Sequence, residues 1–221
     1  LRRFWPYNNN SALIKFLLWR KIVPRVTPKS REELSDLEDV FERAEQALGF
    51  VPNSFFLMGR RPEMLRAFSR LSREVVGVPG RVPQELKWLI AHIASRAAGC
   101  QYCMAHTAGS ADKAKTAAEQ KIDAIFEYER NDLFSAAERA ALTVAQAAGT
   151  TPNMVTDSDM DNLKKHFDED QIVEIVGVIC LFGWLNRFND TMATGLEQEP
   201  LDFATQHLAA SGWEVGKHKG S

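Results

Sequence analysis

The chain has 221 residues, of which 45% are hydrophobic and 25% charged, with a formal net charge of -2. That supplies a sizeable core for one large domain or two small ones without covalent staples, and three cysteines are too few for a secreted disulfide framework. No run reaches the roughly 18 apolar residues that a bilayer crossing needs; residues 175–185, broken by Gly177 and Gly183, read as a buried helix, and no transmembrane span is expected.

Charge is unevenly placed. No acidic residue precedes Glu32, whereas Arg2, Arg3, Lys15, Arg20, Lys21, Arg25, Lys29 and Arg31 do, so this part carries +8 and the remainder -10. A basic, acid-poor extension over residues 1–25 has the composition of an organelle transit sequence or of a docking arm. The expected location is the mitochondrial matrix, with the cytoplasm as the alternative, and the start at Leu1 fits a processed organellar chain or a trimmed one. Phe4, Trp5, Phe16, Leu17, Leu18 and Trp19 would anchor the arm on a neighbouring subunit, on a larger assembly or on its own domain. Nucleic-acid binding is not expected, because no recognised fold surrounds the basic residues and the remaining chain is acidic.

Helix signals dominate in chain order, and period-two strand signals are nearly absent. Residues 30–48 open with Ser30 and Glu33 in capping-box spacing, carry Leu34, Leu37, Val40, Phe41, Ala44 and Leu48 on one stripe, and stop at Gly49. Pro62 starts a second helix with Met64, Leu65, Phe68, Leu71 and Val75. Residues 83–98 present Leu86, Leu89, Ile90, Ile93 and Ala97, and Gly99 stands where a left-handed C-terminal cap is wanted. A new helix is expected from Cys100 to about Lys115, with others over 135–148, 157–166, 168–192 and 201–210. The run 172–188 is apolar nearly all round, which predicts enclosure by other helices or by a subunit interface, with Gly177 and Gly183 permitting close approach. Cys180 within it reads as inert packing. The fold class is therefore all-α.

Chemistry concentrates in Cys100-Gln101-Tyr102-Cys103-Met104-Ala105-His106. Residues three apart lie on one helix face, so Cys100, Cys103 and His106 form a ladder. A helix N-terminus and a neighbouring imidazole both favour a thiolate, and two thiols one turn apart suit a cycle in which a sulfenic acid on one is resolved by the other. The helix dipole alone favours Cys100 as the thiolate. The alternatives are a metal half-site, for which His92 would have to join Cys100, Cys103 and His106, or a pair of inert buried thiols.

The run Ala-Ser-Arg-Ala-Ala-Gly-Cys-Gln-Tyr-Cys-Met-Ala-His-Thr within 89–108 resembles the alkylhydroperoxidase-D-like, or carboxymuconolactone decarboxylase, family. The likeness extends to Val51-Pro52-Asn53-Ser54, to residues 134–142, to 167–176 and to Asn186-Arg187-Phe188-Asn189, all similar to the peroxidase-related branch. It implies a helical alkylhydroperoxidase-D-like domain over 26–218 and a homo-oligomer with the dithiol at or near a subunit contact. It also implies a thiol-dependent, antioxidant peroxidase in which Cys103 attacks a hydroperoxide and Cys100 resolves it, with His106 moving protons. Electrons would come from a thiol donor such as a lipoylated protein, with no bound cofactor and no resident metal. The relay differs from the family pattern. Tyr102 replaces the histidine between the cysteines, Trp88 replaces the glutamate twelve residues before the first, and Thr107 replaces the histidine four residues after the second. Glu85 lies one turn before the expected glutamate, and Arg96 and Arg187 are the loosest candidates for binding a carboxylate. The alternative to an enzyme is a non-catalytic accessory subunit of a larger, mitochondrial assembly, held by the basic arm.

Overall fold

A computed structural model describes residues 24–113 and 118–220. Most of the basic extension, with its six apolar anchors, lies outside the described residues, as does the expected end of the dithiol helix near Lys115. Among the described residues there are ten α-helices and no strand: α1 Glu38–Leu48, α2 Asn53–Met58, α3 Pro62–Ser72, α4 Gln84–Ala97, α5 Gln101–Lys113, α6 Ala118–Asp123, α7 Ala136–Gly149, α8 Asp157–Lys164, α9 Glu169–Met192 and α10 Gln198–His207. The all-α class follows.

Local signals account for most boundaries. Ser30 and Glu33 form their reciprocal bonds at 2.9 and 3.3 Å, yet the first turns are a 3-10 segment, Glu32–Leu37, with a kink at Leu34 before α1 begins. Gly49 ends α1 in the left-handed conformation at φ 89°, which glycine alone adopts without a Cβ penalty. Ser135 with Glu138, Thr156 with Asp159 and Asp168 with Gln171 cap α7, α8 and α9. Each box satisfies backbone donors that the first helical turn leaves open. The helices α2 and α6 span six residues each, too short to show a periodicity. Helix α10 starts at Gln198, earlier than the apolar pattern from Leu201 indicates.

Helix α4 is the hub and packs on α5, α7 and α9. Leu86, Leu89, Ile90, Ala91, Ile93 and Ala94 are all buried, so this helix is enclosed on more than its expected stripe. Gly149 makes the closest helix approach: a Cβ there would meet the Ala97 Cβ at 2.8 Å and the Ala94 carbonyl at 2.9 Å. The two glycines expected to play this part do not. Gly177 has nothing within 4 Å of the corresponding position, and at Gly183 the neighbour is the Arg187 side chain at 3.4 Å.

Helix α9 has the length and composition of a membrane span, but it packs on α4, α5, α7 and α8 as a core helix. Its Glu174 accepts from the backbone N–H of Arg81 at 2.9 Å and of Val82 at 3.2 Å, and meets the buried Lys87 ammonium at 3.3 Å. Enclosure by the chain's own helices is one-sided, so all-round enclosure of this run would need the subunit interface that is the expected alternative. Ile175, Val178, Ile179, Leu181 and Phe182 face inward, whereas Val173, Val176 and Trp184 are exposed. Cys180 is exposed on the same helix and is not core packing. On α3, Leu65 and Phe68 are buried while Met64 and Leu71 face outward, because the helix covers the core with a narrower stripe than its apolar content allows.

Gly149→Ala should lower unfolding free energy by about 1–3 kcal/mol through overpacking against α4. Gly177→Ala, in open space inside a helix, should raise it by up to about 1 kcal/mol. Urea titration of the two variants beside the parent checks both signs.

Candidate functional site

The dithiol is placed by the end of the hub helix. At the C-terminus of α4 the Cys100 N–H donates to the Ser95 carbonyl at 3.1 Å and the Gly99 N–H to the Arg96 carbonyl at 2.9 Å, with Gly99 at φ 72°. This pair of bonds is the Schellman arrangement. It turns the chain so that Cys100 stands immediately before α5, its carbonyl accepting the Met104 N–H at 3.0 Å. Cys103 follows one turn later. Both are free thiols and almost wholly buried, at 0% and 2% exposure.

The Asn189 Nδ2 of α9 donates toward Cys103 Sγ at 3.7 Å. Asn189 is itself oriented by Thr194, whose hydroxyl donates to its Oδ1 at 2.9 Å. Burial pushes the Cys103 thiol well above its ordinary range, and the neighbouring Cys100 adds to the rise; the Asn189 amide opposes it. Desolvation dominates because an anionic sulfur loses more hydration than a neutral one.

His106 takes a different partner from the one its spacing indicates. Its Nε2 meets Glu197 Oε2 at 2.7 Å, and its ring packs on Tyr102 with centroids 4.4 Å apart and on Phe50 at 5.6 Å. Among the described residues it makes no hydrogen bond to either cysteine. Tyr102, standing where the family has a histidine, donates its hydroxyl to Glu197 Oε1 at 2.8 Å. The Asn53 backbone N–H, at the start of α2, donates to the same oxygen, and the Asn53 side chain donates to the Gly195 carbonyl at 3.0 Å. Burial pushes the Glu197 carboxyl upward, but His106 and the Asn53 N–H outweigh it and hold the acid below its usual range. Tyr102 is raised well above its usual range, first by burial and then by the adjacent carboxylate, so it remains a hydrogen-bond donor.

A second histidine reaches the cysteines from the C-terminal segment. A ring nitrogen of His218, a carboxylate oxygen of Asp190 and Cys100 Sγ all lie within 4.8 Å of one another. Sequence spacing could not reveal this, since His218 is more than a hundred residues from Cys100. Glu197, Asn189 and Asp190 escaped for the same reason. A loop or tail residue carries no periodic signal, and an Asn-Asp pair at the end of an apolar helix reads as a helix end.

The other sequence candidates lie apart from the sulfurs. His92 is fully buried on α4, with Nδ1 at 3.1 Å from the Met104 carbonyl and 3.0 Å from the Thr107 hydroxyl. Burial lowers its pKa to about 4, and it does not join the cysteines as a metal ligand. Thr107 donates to the Cys103 carbonyl at 2.7 Å. Glu85 pairs with Lys121 at 3.2 Å, and Lys121 also meets Glu138 at 2.7 Å. Trp88 packs on Phe182 with centroids 6.2 Å apart. The Arg96 guanidinium lies 4.2 Å from the Phe126 ring centroid, and Arg187 donates to the Gly183 carbonyl at 2.7 Å, so neither arginine is at the dithiol. A cavity of about 750 Å³ adjoins the site and is lined by Asn53, Thr194, Glu197, Leu201 and Gly220 among others.

The Glu197 cluster gives a pH-dependent stability. Because the folded carboxyl lies below its unfolded value of about 4.3, its contribution is fully present above that pH and is lost as pH falls through the folded value. Glu197→Gln should cost about 1–3 kcal/mol at pH 7, and the gap from the parent should narrow below pH 4. Urea unfolding at both pH values measures it.

Residues 62–147 match the carboxymuconolactone decarboxylase family. Over a wider span the chain is similar to the debrominase Bmp8. Its apo structure is 36% identical, covers 84% of this chain and 99% of its own, and superposes with a TM-score of 0.78. A cysteine-to-alanine variant of Bmp8 in complex with 2,3,4-tribromopyrrole gives 34% identity, 85% and 98% coverage and a TM-score of 0.77. A peroxidase-related protein with an alkylhydroperoxidase AhpD core from Ralstonia eutropha JMP134 shares the fold at 23% identity, 83% and 96% coverage and a TM-score of 0.69. Among curated relatives, YnjA of Escherichia coli K12 is 33% identical over 93 residues, which are 42% of this chain and 50% of YnjA. YdfG of Bacillus subtilis 168 is 29% identical over 96 residues, 42% of this chain and 64% of YdfG. The chain thus spans about half to two thirds of the length of these curated relatives. With the family match over residues 62–147 and a solved relative of 36% identity matched over nearly its whole length, the chain belongs to the carboxymuconolactone decarboxylase family and has its alkylhydroperoxidase-D-like fold.

Proposed function

We propose that this protein is a thiol-dependent oxidoreductase that reduces a small electrophile while Cys100 and Cys103 pass from dithiol to disulfide. The observation that carries the reading is the pair of buried free thiols one helical turn apart at the start of α5, with an amide donor on Cys103. With a hydroperoxide, Cys103 sulfur attacks the O–O bond, which breaks to give a sulfenic acid and an alcohol. Cys100 then attacks that sulfur, forming the S–S bond and releasing water. An external thiol donor, such as a lipoylated protein, returns two electrons. The Tyr102, His106 and Glu197 cluster supports a supporting part for His106 rather than direct proton transfer at sulfur, and the neighbouring cavity supports approach of a small substrate from the Glu197 side.

The similarity to Bmp8 favours a second electrophile for the same sulfurs. In that case the thiol sulfur takes bromine from a brominated pyrrole as the C–Br bond breaks, the carbon takes a proton, and the second thiol attacks the resulting sulfenyl bromide, forming the S–S bond, displacing bromide and releasing HBr. Electron bookkeeping is identical, since either substrate accepts two electrons from the dithiol.

Reduced protein should lose two of its three thiols and two hydrogens of mass after one equivalent of tert-butyl hydroperoxide or of 2,3,4-tribromopyrrole. The faster oxidant identifies the substrate class, and unchanged thiols with both would refute the reading. Cys103→Ser should abolish turnover, whereas Cys100→Ser should stop at the sulfenic acid, detectable by dimedone.

The exposed Val173, Val176 and Trp184 on α9, with Leu71 beside α3's outer face, support a homo-oligomer. Light scattering should give a multiple of 24.9 kDa, reduced by Val173→Glu. A monomeric parent would rule this out.

A further inference from the structure

We propose that His218 is the proton acceptor for the Cys100 thiol, held in place by the Thr194 carbonyl and supported by Asp190. The inference rests on the dithiol reading above and assigns a residue to the second half of its cycle.

The C-terminal turn Gly216–His218 packs on α5. The His218 carbonyl accepts from the Leu196 N–H at 2.8 Å, Lys217 pairs with Asp190 at 2.7 Å, and the Trp213 indole donates to the Gln101 carbonyl at 3.2 Å. These contacts seat the His218 ring with 0% exposure. Its Nδ1 is 2.8 Å from the Thr194 carbonyl. A carbonyl only accepts, so Nδ1 carries the hydrogen and the neutral ring presents its lone pair at Nε2. Nε2 is buried without a hydrogen-bond partner, although Asp190 Oδ1 stands 3.7 Å away. A fully buried nitrogen lone pair facing an acid and a thiol is costly unless a proton arrives there. Cys100 Sγ, within 4.8 Å of the cluster's other ligand atoms, carries that proton.

Every charged or titratable neighbour fits the assignment. Asp190 stabilises an imidazolium once it forms; Lys217 neutralises the outer carboxylate oxygen; Cys103 lies beside Cys100; and the Tyr102 ring, 5.8 Å from the His218 ring centroid, separates it from His106 and Glu197. Burial is the main cause lowering the His218 pKa and the Asp190 carboxylate opposes it, so a proton that reaches Nε2 is held by Asp190 and by the Cys100 thiolate it leaves behind. In the resolving step the Cys100 proton passes to Nε2, the Cys100 electron pair forms the S–S bond, and the Cys103 S–O bond breaks. The departing hydroxide then recovers the proton from His218 as water.

The test uses Cys103→Ser/Cys180→Ser protein, where Cys100 is the remaining thiol, and reads thiolate absorbance at 240 nm at pH 7.5. Adding His218→Gln should reduce the thiolate fraction at least threefold, with helical circular dichroism retained. A second measurement needs no change at His218: 15N NMR of its ring should show less Nε2 protonation in Cys100→Ser than in the parent at the same pH. An unchanged thiolate fraction in a folded variant, or an unchanged ring spectrum, overturns the proposal. So does one equivalent of zinc retained by reduced protein and lost with His218→Gln, because Cys100 would then be a ligand. Neither readout depends on turnover: a shifted thiolate without peroxide or bromopyrrole reduction would sink the proposed function and leave the His218 assignment standing.

Discussion

A carboxylate enclosed in protein must collect donors, and Glu197 collects three from two helices: the Asn53 backbone N–H at the start of α2, and Tyr102 and His106 on α5. An ionised group deprived of water is tolerable only when its oxygens are paired. That requirement fixes where the segment after α9 crosses α5. The crossing in turn brings Thr194 and the C-terminal turn to the dithiol. The surroundings of the sulfurs therefore depend on a carboxylate that touches neither of them.

The site has two sides with different chemistry. On one, Cys103 faces the Asn189 amide, which holds a hydrogen toward sulfur without competing for its proton. On the other, Cys100 faces an imidazole and a carboxylate. Tyr102 stands between the two histidines, its ring 4.4 Å from His106 and 5.8 Å from His218. A histidine at that position would add a third titratable ring to a crowded, buried cluster. A tyrosine instead supplies one hydrogen bond and remains neutral, leaving the carboxylate a single imidazole partner.

The chain is similar to a debrominase and shares its fold with a peroxidase-related protein. In this chain α4 and α5 supply a left-handed glycine, a helix start and two thiols one turn apart. Segments after α9 contribute the groups that surround the sulfurs. Residues of irregular segments change without disturbing the helix packing that supports them.

The sequence determined what is local. The capping-box spacing at Ser30, the glycine stops at Gly49 and Gly99, and the i, i+3 thiol spacing are short-range features whose physics is complete within one or two turns. The all-α class and the family likeness came from the same features. The tertiary structure decided the rest. It alone placed Glu197, Asn189, Asp190 and His218, directed His106 to a carboxylate, exposed Cys180 and one face of α9, and gave the close approach to Gly149 instead of Gly177. Each of those outcomes depends on which distant surfaces meet, and meeting is set by the burial of apolar faces and the pairing of enclosed polar atoms over the whole chain. No window of sequence contains that information.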